Sequence, residues 1–176
     1  MTRGRGLIAA GVATVLLLLA MSPSDGRMKD AGGPGIVPFE LSGGQHRADE
    51  IMGQWGSEGQ DAARESLWID FGFMLAYGTF LTLALGAVRE MAGKRDWRRL
   101  AAIGGVAVYF GALGAGFDAL ENICLLLTLG GAGAAFPLLA TIFAGFKFAF
   151  IAAAIAYLIV GLAMRATGGR RAAPVS

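Results

Sequence analysis

The sequence predicts an all-α integral membrane protein: four transmembrane helices in an up-down bundle, the third and fourth long, plus a large outer loop carrying short amphipathic helix. Three observations lead there. Hydrophobic residues make up 55% of the 176 residues and charged residues only 16%, against about 25% charged in a typical soluble domain. The apolar residues gather into four runs at 7–21, 67–88, 100–129 and 136–164, three of them long enough to cross a hydrocarbon core of about 30 Å. The basic residues cluster at alternate ends of those runs, as orientation in a bilayer requires. The whole chain, 1–176, is expected to be a single membrane domain.

The first run follows Arg3 and Arg5 and covers Leu7 to Met21, a length that suits either a short anchor or the core of a leader. The best cleavage candidate is Ala20, Met21 and Ser22, with Pro23 directly behind it. Proline there disfavours processing, so the expectation is a retained first helix, the alternative being a mature chain of three. Residues 22–66 turn polar, and glycines and prolines from Pro23 to Gly44 break any regular pattern until about His46, which predicts a loop. Its second half, Arg47 to Glu65, sets Ile51, Met52 and Trp55 among charges and predicts one or two surface helices with Trp55 as an interfacial anchor.

The second run, 67–88, ends in the most basic segment, 89–99. The third, 100–129, is broken only by Asp118, Glu121 and Asn122, and a Gly/Ala turn at 130–135 joins it to the fourth, 136–164, whose tail from 165 to 176 is again basic. Ten of the fifteen Lys and Arg residues lie in the amino terminus, the 89–99 segment and the tail, while the 22–66 segment holds four against eight acids. Both termini are therefore expected in the cytoplasm of a bacterial inner membrane, with the long loop outside.

A lone charge in hydrocarbon costs at least ~2.5 to 3.5 kcal/mol on insertion scales, so intramembrane charges are expected to find partners. Asp70 lies eighteen residues before Val88, Asp118 eighteen after Leu100, and Lys147 eighteen before Arg165. At about 1.5 Å of rise per residue all three sit roughly 27 Å from the basic boundary. Glu121 and Asn122 share a helix face with Asp118 at i+3 and i+4, and Tyr77 lies two turns from Asp70 along one face. These six residues, Asp70, Tyr77, Asp118, Glu121, Asn122 and Lys147, form the candidate ligand- or proton-binding site, with residues 40–66 as a cap over it.

That site supports two main readings. One is binding, and passage, of a small amphipathic or cationic ligand or a proton, with Phe71, Phe73, Met74, Tyr109, Phe117, Phe146 and Phe148 near enough in depth to line a pocket. The other is an accessory or scaffold subunit whose buried charges only fix helix register. A lipid-modifying enzyme with a carboxyl as general acid or base comes third. The basic runs lack the interleaved aromatics of a nucleic-acid surface, so membrane lipid and a partner membrane protein or second copy are the expected partners. His46 beside Asp49 and Glu50 is too thin a set for a metal. Cys124, the single cysteine, excludes an intramolecular disulfide or dithiol relay. No catalytic motif calls for a cofactor. Small-xxx-small spacings such as Gly78 and Thr82, or Ala112 and Gly116, predict close helix packing.

Overall fold

The computed structural model describes residues 3–168, all of whose regular structure is helical: α1 Arg3–Asp30, α2 Ile36–Glu40, α3 Gln45–Lys94, α4 Arg98–Ala107, α5 Phe110–Leu129 and α6 Phe136–Gly168. Four stretches are long and apolar enough to cross a membrane, Arg3–Asp30, Gln45–Lys94, Arg98–Leu129 and Phe136–Thr167. The chain is a helical membrane protein. Of the basic tail expected at 165–176, the part beyond Gly168 lies outside the described residues.

α1 leans on α3, and α3 packs against α5, which packs against α6. The outer surface of α1 carries Ile8, Val12, Leu16 and Leu19 exposed, as a helix at the rim of a bundle in lipid does. Where α3 crosses α5 the backbones nearly touch: a Cβ on Gly111 would stand 2.7 Å from the Gly78 carbonyl oxygen. Only glycine permits that approach. Ion pairs join α1 to α3 at both ends, Arg3 with Glu90 at 2.7 Å and Arg27 with Glu65.

Three helices stop in the same way. After α1, Gly32 donates to the Lys29 carbonyl and Gly33 to that of Met28; after α3, Asp96 donates to Gly93 and Trp97 to Ala92; after α5, Gly131 donates to Thr128 and Ala132 to Leu127. These paired bonds define the Schellman terminator, which needs a left-handed residue to turn the chain out of the helix. Gly32 and Gly131 supply it at φ 96° and 71°, whereas at the end of α3 the residue is Asp96 at φ 54°.

The 22–66 segment differs most from expectation. Pro23 does not end the first helix: α1 continues through it to Asp30, because the missing amide removes one backbone bond while packing on α3 holds the rest. Glycines do not prevent a helix at 45–66 either. α3 runs through Gly53 and Gly59 and is interrupted only at Gly56, at φ 57° and ψ −162°. Gln60 Nε2 donates to the Met52 carbonyl at 3.0 Å, a bond that spans the interruption and ties its two sides together. The expected outer loop is thus two helical extensions with α2 folded between them.

Trp55 is not an interfacial anchor. It is 1% exposed, packs at a tilt against Phe39 with ring centroids 5.0 Å apart, and donates from Nε1 to the Pro34 carbonyl at 2.6 Å. Around it Met28, Ile51, Ala62, Leu67 and Leu125 form a core that continues from the extensions into the bundle. A second core, with Met74, Leu81, Leu85, Ala107 and Tyr157, fills the bundle toward its basic end. The third span is not continuous: the Tyr109 amide bonds to Val106, a tightened turn between α4 and α5. Gly104 and Gly105 weaken the helix just before that turn.

Candidate functional site

Between the two cores lies a band of polar side chains. α5 is apolar along most of its length, yet Asp118, Glu121 and Asn122 project from one face and are all buried, Glu121 at 0% exposure. Against this face α6 places Lys147 and α3 places Asp70 and Tyr77, all three also buried. The fourth wall is α2. Asp25 Oδ1 accepts from the Ile36 amide at 3.1 Å, holding the entry to α2, and Thr141 Oγ1 donates to the Glu40 carbonyl at 2.9 Å while accepting from Gly43 at 3.0 Å. With Phe39 wedged under Trp55, α2 delivers the Glu40 carboxyl into the band.

Lys147 Nζ is the hub. It donates to Asp118 Oδ1 at 3.2 Å and to Glu40 Oε2 at 3.5 Å, and it stands 2.7 Å from Glu121 Oε2. The Glu121 contact is an ion pair without hydrogen-bond alignment, and neither oxygen of that carboxyl has a hydrogen-bond partner. Tyr77 Oη donates to Asp118 Oδ2 at 2.8 Å. Asp70 stands apart from the ammonium: its Oδ2 accepts from Asn122 Nδ2 at 2.7 Å, and the same amide reaches the Leu67 carbonyl at 3.4 Å. The site therefore has two linked halves, a lysine centre and an Asp70–Asn122 pair, joined through the α5 face that carries Asp118, Glu121 and Asn122.

Electrostatically the band is lopsided. Four carboxyls (Glu40, Asp70, Asp118, Glu121) face one ammonium, a net −3 from four minus one were all ionised. Neighbouring carboxyls in low dielectric resist simultaneous ionisation. Glu40 sits outside the spanning segments, and there burial pushes its carboxyl above the usual 4.5, opposed by the Lys147 ammonium and reinforced by Asp118. The residues offer no histidine or thiol donor set, and no metal-ligating group of three or more is found among the described residues.

The three residues expected from depth (Asp70, Asp118, Lys147) and the three expected from shared helix faces (Tyr77, Glu121, Asn122) all lie in this band. Glu40 was not expected. It stands 107 positions from Lys147 in a stretch read as irregular, and the available signal was the apolar Ile36, Val37 and Phe39 directly before it, a short segment with one side to bury. The expected aromatic lining is dispersed. Phe146, Phe148 and Tyr109 face outward, and Phe117 stacks with Phe146 and Phe150 in a ladder across α5 and α6. Phe148 touches the site from its edge, its ring 4.7 Å from Lys147 Nζ, and Phe73 packs on Tyr77 with ring centroids 5.2 Å apart. Comparison with protein-family models, with curated proteins and with solved structures finds no match.

Proposed function

We propose that this is a bacterial inner-membrane protein of four spans in an up-down bundle, with its termini and the 89–99 segment cytoplasmic, whose polar band binds a proton and exchanges it with the outer side. The reading rests on one observation above others: Glu121, fully buried, makes no aligned hydrogen bond through either oxygen and shares one ammonium with two further acids, Asp118 and Glu40. A carboxyl in that position, crowded by further acids, is where a proton relieves both repulsion and desolvation. Glu40, whose side chain keeps 12% exposure, is the member nearest water and the route of exchange.

The geometry favours a proton over a free cationic ligand because the position such a cation would take is filled by the chain's own ammonium. It also favours binding on one side over passage across. The chain of polar contacts ends at Tyr77 and Asp118, and toward the basic end the neighbouring interior is Leu81, Leu85, Ala107 and Ala154. Infrared difference spectra of the purified protein across a pH titration test the idea. A protonated-carboxyl carbonyl band that titrates reversibly, and that Glu121→Gln or Glu40→Gln removes, is the expected result; its absence throughout the range in which the fold survives would sink the proposal.

One observation favours the scaffold reading: Lys147 alone contacts acids from α2 and α5 while standing on α6, a cross-brace that would serve assembly without any exchange. Under that reading the band does not titrate, and variants in it change stability only.

A further inference from the structure

At the end of the bundle remote from the polar band, α1, α3 and α6 line a half-open cavity of about 510 Å³. Its walls are apolar: Leu7 from α1, Phe80, Ala84 and Met91 from α3, and Leu158 and Leu162 from α6. Two arginines, Arg95 just past α3 and Arg165 in the last turn of α6, complete the lining. Both are exposed, and among the described residues neither is ion-paired with a carboxylate. Arg95 is steadied over the Trp97 ring, 5.2 Å from its centroid. The two acids nearby are engaged elsewhere, Glu90 with Arg3 and Lys94, both at 2.7 Å, and Asp96 with Arg98 at 3.0 Å.

We infer that this cavity is a binding site for one anionic phospholipid of the surrounding leaflet, its phosphate between Arg95 and Arg165 and an acyl chain along the apolar wall. The volume lies within the range of about 300–1,000 Å³ typical of ligand sites. The charge arrangement matches an amphiphile and not a free anion: an inorganic phosphate would satisfy the arginines and leave the apolar slot unfilled. Planar guanidinium groups suit phosphate recognition, and basic pockets between spanning helices are the expected seats of acidic headgroups. α1 contributes one wall while packing mainly on α3, so a lipid seated here would also fill the slot between the first and fourth spans.

The test is lipid binding by the delipidated full chain in detergent, followed by native mass spectrometry during titration with phosphatidylglycerol or phosphatidylcholine of identical acyl chains. The structure calls for a preference of roughly tenfold or more for the acidic lipid, abolished in the Arg95→Gln/Arg165→Gln double variant. Ala84→Phe, which fills the slot, should reduce retention of both lipids. Arg98→Gln/Arg99→Gln removes the same charge from a separate recess against α4 and α6 and should leave the preference intact. Equal binding of the two lipids overturns the proposal. So does equal loss in the two double variants, which would mark diffuse surface attraction, and so does inorganic phosphate displacing the bound lipid at concentrations comparable to the lipid's own. Because all four arginines are exposed, unchanged thermal unfolding of these variants is the control for folding.

Discussion

Lys147 and Glu121 meet at 2.7 Å across the α5–α6 seam, out of ideal hydrogen-bond alignment. The ammonium of this pair is shared with Asp118 and Glu40.

Removing the hub leaves several acids uncompensated. Lys147→Met should destabilise the protein by about 3–5 kcal/mol, read as chemical or thermal unfolding in detergent. The Lys147→Met/Glu121→Gln double variant should recover part of that loss, since a neutral pair needs no partner. A double variant no more stable than the single one would show that Asp118 or Glu40 carries the coupling.

Tyr77 makes one hydrogen bond to a buried carboxylate, at 2.8 Å. Tyr77→Phe removes the donor and leaves the shape, so the expected cost is about 1.5–3 kcal/mol, the worth of a bond to a charged group. A change near zero in the same unfolding measurement would mean that Asp118 finds another donor.

Glu40 gives the pH dependence. Its carboxyl is held above the ordinary value by burial, so between the two values the folded state binds more protons than the unfolded state. Stability from this group is then fully present below the ordinary 4.5 and falls as pH rises through the folded value. Glu40→Gln, neutral at all pH, should unfold with a flatter pH profile and gain on the wild type as pH increases. Parallel profiles for the two proteins would contradict this.

Asp96 occupies a left-handed conformation at φ 54° where the other two Schellman terminators use glycine. Asp96→Gly should stabilise the end of α3 by up to about 1 kcal/mol, since the lost ion pair with Arg98 is exposed on both sides and contributes little. A lower unfolding temperature for the variant would show that the pair matters more than the backbone.

Periodicity and run length made the spans legible, because lipid imposes one strong requirement, an unbroken apolar stretch of the right length. The same regularity made depth countable, so Asp118, Lys147 and Asp70 could be set at one level from the basic ends. What was not legible lay outside the hydrocarbon, where that requirement lapses. Pro23 and the glycines of 22–66 have low helix propensity, and tertiary packing overrode them: α1 continues because α3 lies alongside it, and the Gly56 interruption is patched by Gln60. Trp55 reads as an anchor until Phe39 and Pro34 are brought to it. Glu40 was hidden for a further reason. A band already richer in acids than in bases gave no cause to look for another acid, and only the fold of α2 over Thr141 delivers it.

The order of synthesis gives the lysine hub a further consequence. Glu40, Asp70, Asp118 and Glu121 all precede Lys147 in the chain, so the ribosome completes every acid of the band before the one cation that balances them. Until α6 follows, α5 carries two acids without the counter-ion that balances them, an arrangement that is costly in hydrocarbon. α6 is therefore the helix that brings the balancing charge to acids already placed on α2, α3 and α5.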